Sequence, residues 1–262
     1  MPESRSPRVI GELLNHAFAR ARRAWTRQDL NLYGELASHQ VKLGAEYLNL
    51  NLGGTPDFPV DRAKILQCLP QIISALQEAT PTPLAFDSAD LEFQKIALAH
   101  YDRARSPAPI VNSLAASRTD LDGWFEFIEH YRPKVIIMLA DRSVDATGAN
   151  RYSTPAEALE TCCQLFRRLR KLGLEADDIF LDPGLGVHGH DPDGLIPRCL
   201  ELLKLIQQTP ELTGTHRSVG LSNLVACTPV DERAATSRAF IARAAPLGLD
   251  WILANPEQDY SL

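Results

Sequence analysis

No apolar run in this sequence approaches the roughly 20 residues that a membrane-spanning helix requires. The opening segment, MPESRSPRVIGELL, has too short an apolar stretch for a secretory leader, and no small-residue cleavage pattern follows it. Basic residues are not in excess: the net charge is −6, which excludes the usual electrostatic footprint of a nucleic-acid binder. Cysteine is sparse and unpatterned. The five residues (Cys68, Cys162, Cys163, Cys199, Cys227) form no CxxC and leave an odd count. Cys162 and Cys163 are adjacent on a predicted helix, poor geometry for a disulfide, so reduced thiols in a cytoplasmic protein are expected. No Ser/His/Asp or Cys/His arrangement of nucleophile and base stands out. Short internal repeats and low-complexity tracts are lacking too.

What the sequence does hold is a series of short apolar runs, most of them ending at Asn, Asp or Gly. They are GELLN (11–15), LNLNLGG (48–54), LAFDS (84–88), IVNS (110–113), IIMLAD (136–141), IFLDPG (179–184), VGLSN (219–223) and WILANP (251–256). Amphipathic stretches of helical length lie between them. Buried strands whose last residue turns polar, alternating with helices, mark an α/β chain closed as a (β/α)8 (TIM) barrel, where chemistry gathers at the strand C-termini. At 262 residues, 45% of them hydrophobic, the chain fits one such domain over 1–262.

The pattern predicts strands at about 8–14, 46–52, 83–87, 109–112, 134–140, 178–182, 217–222 and 250–254. Helices are predicted at about 17–43, broken near Asp29, and at 61–79, 89–102, 121–131, 155–171, 193–208 and 230–245. Pro70 is read as a kink in the second of these. Thr119 or Asp120 caps the fourth, and Thr154 followed by Pro155 opens the fifth. After the last strand only PEQDYSL remains, so the eighth helix is expected to be truncated. N-terminal residues or a second subunit would then cover the outer face of the last and first strands. A homodimer is expected, because large exposed apolar patches are rare on monomers.

One end of such a barrel presents Glu12, Asn15, Asn49, Asn51, Asp87, Asn112, Asp141, Asp182, Asn223 and Asn255. Amides pair donors with acceptors, and a carboxylate accepts two hydrogen bonds side by side. Together they suit a flat heterocycle with an amino-pyrimidinone edge. Each Asn or Asp taken singly is equally well explained as a helix cap or turn residue.

These motifs, in this order, resemble the pterin-binding barrels: methyltetrahydrofolate:corrinoid methyltransferases, the folate module of cobalamin-dependent methionine synthase and, more distantly, dihydropteroate synthase. VIGELLN resembles the family's Gly-Glu-Arg-x-Asn strand. GAEYLNLNLGG resembles Gly-Ala-x-x-Leu-Asp-Leu-Asn-x-Gly, and LAFDS, IVNS, FLDP and VGLSN follow at the expected strands. The resemblance implies that Asp87, Asn112 and Asp182 hold the pterin edge. It implies that Asn223 is catalytic, near N5, and that Glu12, Asn15, Asn49 and Asn51 line the same mouth. It further implies a methyltransferase acting between N5 of methyltetrahydrofolate, or a related pterin, and the cobalt of a cobalamin-type corrinoid. The corrinoid would arrive on a separate partner protein, since the barrel consumes the whole chain. No metal site is expected.

Three departures from the family pattern stand out: Asn49 replaces its second-strand Asp, Leu13 replaces the Arg of its first motif, and the eighth helix is short. They leave a non-catalytic pterin- or folate-binding module as an alternative. LDPGLG (181–186) resembles an Asp-Pro-Gly-x-Gly motif of dihydropteroate synthase, a further alternative. That enzyme's cationic Ser-Arg-Lys is replaced here by Leu221-Ser222-Asn223. The His188-Gly189-His190 loop and the Arg clusters at 20–23 and 167–171 are read as solvated segments.

Overall fold

The computed structural model describes residues 6–140, 142–144, 150–258 and 260. Eight parallel strands close into a barrel: β1 (Arg8–Asn15), β2 (Ala45–Asn51), β3 (Leu84–Asp87), β4 (Ile110–Leu114), β5 (Lys134–Met138), β8 (Ile179–Asp182), β9 (His216–Gly220) and β10 (Trp251–Ala254). β6 (Arg142–Val144) and β7 (Asn150–Tyr152) form a separate antiparallel hairpin in the long connection after β5. β10 pairs with β1, from Arg8 opposite Trp251 to Gly11 opposite Ala254, and so closes the ring.

Helices surround the ring: α1 (Ala19–Arg27), α2 (Leu30–Lys42), α3 (Arg62–Ala79), α4 (Leu91–Ala99), α5 (Leu121–Tyr131), α6 (Pro155–Lys171), α7 (Leu195–Gln207), α8 (Leu221–Leu224) and α9 (Arg233–Ala244). Their starts follow local chemistry. Asp29, Asp61, Asp90 and Asp120 each accept a first-turn backbone N–H. Thr154 and Glu157 complete a capping box at α6, with Pro155 in the first turn. The break predicted near Asp29 separates α1 from α2, where Gln28 takes a left-handed backbone (φ 51°). α3 continues through Pro70.

Side chains alternate along a strand with period two, so every second residue points inward. Ile10, Tyr47, Ala85, Ile110, Ile136, Phe180 and Trp251 form an apolar plug inside the ring. Tyr47 and Phe180 each meet the Trp251 ring edge-on, with centroids 5.5 Å apart. Below the plug, at the strand N-termini, the Nε of Arg8 donates to Glu46 and the guanidinium lies 4.0 Å from the Trp251 ring centre. His216 bridges Asp250 and Asp177 on the same side.

No helix follows β10 among the described residues; residues 255–258 form a tight turn instead, in which the Gln258 N–H bonds to the Asn255 carbonyl oxygen. The Tyr260 hydroxyl donates to the Asn255 carbonyl oxygen, and its ring packs with Leu224, Ile252 and Ala254. Glu257 pairs with Arg20 and His39, tying this segment to α1 and α2. No described helix is long and apolar enough to cross a membrane.

Candidate functional site

Two residues beyond the apolar plug, β10 presents Leu253, and the other six strands that supply the plug present a second inward layer. Those positions are Glu12 on β1, Asn49 on β2, Asp87 on β3, Asn112 on β4, Met138 on β5 and Asp182 on β8. Five of the six are polar, so the interior changes from hydrocarbon to hydrogen-bonding groups within one layer, on the side of the strand C-termini. Ala85, small and fully buried, lies beneath Asp87.

The polar layer is internally bonded. Asn49 and Asn51 both donate from Nδ2 to Oδ2 of Asp87, each at 3.0 Å. Asn112 donates from Nδ2 to Oδ1 of Asn49 at 3.2 Å. Asp87 and Asn112 are direct partners in the β3–β4 register. Asn51 also accepts the Gly53 N–H, so its other end shapes the Gly53–Gly54 turn. A cavity of about 340 Å³ opens beside these groups, bounded by Asn51, Gly53, Gly54, Arg62, Asp87 and Phe93. Arg62 spends its charge on Asp90 and Glu92.

Asp182 is buried at the end of β8, and its Oδ1 accepts the Gly184 N–H at 2.8 Å. Gly184 has φ +75°, and a Cβ there would collide with Ala140, so only glycine closes this turn. Arg198 of α7 holds the same corner from behind. Its buried guanidinium donates to the carbonyl oxygens of Ser153, Pro183 and Leu139, at 2.7, 2.8 and 2.7 Å, and to Oγ of Ser153.

Glu12 sits where the β1–β2 register shifts, between Gly11 and Leu14. The irregularity leaves the Leu13 N–H without a ladder partner, and Oε1 of Gln40, a buried α2 side chain, accepts it at 2.8 Å. A Cβ on Gly11 would lie 2.6 Å from that oxygen. Gly11 thus admits the bond that fixes this part of β1. The Ser222 hydroxyl, at the start of α8, faces the Glu12 carboxyl and favours its ionised form.

The electrostatics follow from burial. Loss of solvation pushes the Glu12 and Asp182 carboxyls up to about 7, and the Asp87 carboxyl also lies above its ordinary value. The Asp87 charge adds to the rise in the other two. The two amide donors act the opposite way on Asp87, because they stabilise its ionised form.

The sequence-selected residues fall into two groups. Glu12, Asn49, Asn51, Asp87, Asn112 and Asp182 meet in one layer or at its rim. Asn15 and Asn255 follow the turn reading: Oδ1 of each accepts a backbone N–H two residues on, from Ala17 and Glu257. Asn223 is exposed on α8 rather than on a strand, because β9 ends at Gly220. Its Nδ2 lies 2.9 Å from where a Gly220 Cβ would stand, so the amide folds back over the strand end. Asp141 lies outside the described residues. The His188–His190 loop is a tight turn whose His188 N–H bonds to the Leu224 carbonyl oxygen. Sequence reasoning missed Arg198, Gln40 and Ser222, whose partners are distant in the chain.

Comparison with known proteins shows the family of the chain. The profile of a family described as pterin binding enzyme matches residues 12–255. A methylcorrinoid:tetrahydrofolate methyltransferase of Eubacterium limosum is 23% identical over 250 residues, spanning 95% of this chain and 84% of that protein. Dihydropteroate synthase from Vibrio fischeri ES114 superposes with a TM-score of 0.66 at 16% identity, covering 96% of this chain and 88% of that one. The Stenotrophomonas maltophilia enzyme gives 0.65 at 19% identity, covering 97% and 88%. At these identities the two solved structures share the fold.

Proposed function

Because this chain belongs to the pterin-binding enzyme family, we propose that its polar layer grips the amino-pyrimidinone edge of a reduced pterin, a tetrahydrofolate derivative. Asp87 and Asp182 accept from the ring N–H and the exocyclic amine, and Asn112 bonds the remaining edge. In Asp87 both amide donors sit on Oδ2, which leaves Oδ1 for the ligand. Asn49 and Asn51 orient that carboxylate, and Glu12 and Asn223 stand on the β9 side of the mouth.

The reaction is methyl transfer between pterin N5 and the cobalt of a corrinoid that a partner protein presents over the mouth. An N-methyl on an amine is a poor electrophile, and hydrogen bonding at N5 improves the leaving group. The Asn223 amide supplies that bond without carrying charge and keeps it as charge redistributes. The remaining task is to hold two reactants in line. The methylcorrinoid:tetrahydrofolate methyltransferase relative supports this chemistry.

The observation that carries the reading is the convergence of Asp87, Asn49, Asn112 and Asp182 on one inner layer. A dihydropteroate synthase activity is less well matched: a diphosphate leaving group needs positive charge, and none of these side chains is cationic. The test is a calorimetric titration with tetrahydrofolate beside a transfer assay from a methylated corrinoid protein. Saturable binding with transfer supports the proposal. Binding alone turns the barrel into a carrier module; in a parallel assay supplied with a hydroxymethyl-dihydropterin diphosphate and 4-aminobenzoate, formation of dihydropteroate with release of diphosphate assigns it to the synthase branch.

A further inference from the structure

Glu12 is the one acid of the layer that the pterin edge does not need. Asp87 and Asp182 stand with Asn49 and Asn112 on the edge-binding arc. Glu12 is instead held on the opposite side, against Ser222, the residue next to Asn223. Its carboxyl is 2% exposed, yet among the described residues no cation acts on it. The charged and titratable groups that face it are acidic or phenolic: Asp87 on β3, with Asp182 beyond it on β8, and Tyr260 on the segment after β10. The neighbouring inward positions on β2 are the neutral amides Asn49 and Asn51.

The backbone around Glu12 is specially built. The register shift in β1, the Gly11 position and the buried Gln40 bond together fix the backbone that carries this carboxylate, and among the described residues Ser222 is the side chain that favours its ionised form. A structural acid in such a place would have an arginine or lysine partner. An acid that must change its protonation state during turnover would not.

We propose that Glu12, oriented by the Ser222 hydroxyl, is the proton acceptor for pterin N5 during methyl transfer, an inference that rests on the reading above. The N5 lone pair of the tetrahydropterin forms the new N–CH3 bond. The cobalt–carbon bond breaks with its electron pair left on cobalt, and the N5 proton passes to the Glu12 carboxylate. In reverse, protonated Glu12 returns that proton to N5 as the methyl leaves. Atoms and electrons balance with the methylated corrinoid as the only co-reactant. The carboxyl's position near 7 suits either direction at neutral pH. Asp182 titrates in the same range, but hydrogen bonds to bound pterin hold it ionised, so its titration is read in KM and that of Glu12 in kcat.

The test compares wild type, Glu12→Gln and Ser222→Ala, with tetrahydrofolate and a methylated corrinoid protein. Calorimetry reads folate binding and saturating assays read kcat against pH. Wild type is expected to show kcat rising with pH to a plateau above about 7. Glu12→Gln is expected to keep folate affinity within about threefold and lower kcat by about 100-fold, in line with loss of a general base, with the limb abolished. Ser222→Ala removes a donor to the ionised carboxylate and is expected to move the limb to higher pH, a change that a packing role would not produce. A limb that persists unmoved in both variants overturns the assignment. Wild-type protein that neither binds folate nor transfers methyl overturns the reading beneath it.

Discussion

Asn49 donates to Asp87 and accepts from Asn112 through the two ends of one amide. A carboxylate could accept from Asn112 but could not donate to Asp87. The asparagine that departs from the family motif is therefore the residue this hydrogen-bond chain requires. Asn49→Asp should set two buried carboxylates against each other and raise both toward protonation. We expect folate affinity to fall by 10-fold or more at pH 8, consistent with loss of a hydrogen bond to a charged group worth about 1.5–3 kcal/mol. Thermal stability should fall more at pH 8 than at pH 5. Titration calorimetry and melting at the two pH values check both, and unchanged affinity would remove Asn49 from the site.

The acids of the cup give the fold an inverted pH dependence. Burial lifts Glu12 and Asp182 to about 7, whereas in the unfolded chain such groups titrate near 4. Between those values the folded state binds protons that the unfolded state has released. This contribution to stability therefore falls as pH rises from about 4 to 7 and levels off above. Asp182→Asn should flatten part of that decline and raise stability at pH 8 by about 1–3 kcal/mol. A pterin edge donates hydrogen bonds and favours the ionised acids, so folate binding should release protons and tighten with pH through 7. Calorimetry in two buffers of different ionisation enthalpy measures the sign, and proton uptake on binding would contradict the arrangement.

The barrel was legible because most of its strands combine an apolar run with a polar residue at or just past the end, and because caps such as Thr154 and Asp120 act within four residues of the helix they start. The inner polar layer was legible for the same reason: period-two alternation carries Asp87 and Asp182 to the inside whatever surrounds them. The hairpin of β6 and β7 was not, because three-residue strands are too short to show a period. Leu221-Ser222-Asn223 continues the apolar run of β9 and reads as strand, although the backbone turns into α8 at Gly220. Arg198 looks like a surface residue of an amphipathic helix. Only contacts to residues 15, 45 and 59 positions away bury it.

Gly220 and Asn223 give a way to disturb the mouth without disturbing the fold. Gly220 has φ −74°, which any residue adopts, and the atom its Cβ would press on is the free end of the Asn223 amide. Gly220→Ala should leave stability unchanged or raise it by about 0.5 kcal/mol through the unfolded chain. It should also push the amide off the strand end and lower methyl transfer about 10-fold. Asn223→Ala should lower turnover by about 100-fold, the scale for one transition-state hydrogen bond, with a smaller effect on folate binding. Equal losses of binding and turnover in Asn223→Ala would contradict its placement near N5.

Arg198 joins the barrel wall to the turn that carries Asp182, and it does so without an acidic partner among the described residues. Its guanidinium is buried, which lowers its pKa, and its donors are matched by three carbonyl oxygens and one hydroxyl. Removing the guanidinium spares the desolvation of one charge but strands several buried acceptors, each worth about 1–3 kcal/mol when left unmatched. The second effect exceeds the first, so Arg198→Met should lower stability by about 3 kcal/mol, or roughly 6–12 °C in Tm for a chain of this size. Arg198→Lys should fall between, since one ammonium cannot reach acceptors spread along a planar fork. Because the Pro183 carbonyl adjoins Asp182, both variants should also weaken folate binding while the Asp87 side stays intact. A melting curve for Arg198→Met that matches wild type would show that the four bonds contribute nothing net, and Asp182 would then owe its position to the Gly184 turn alone.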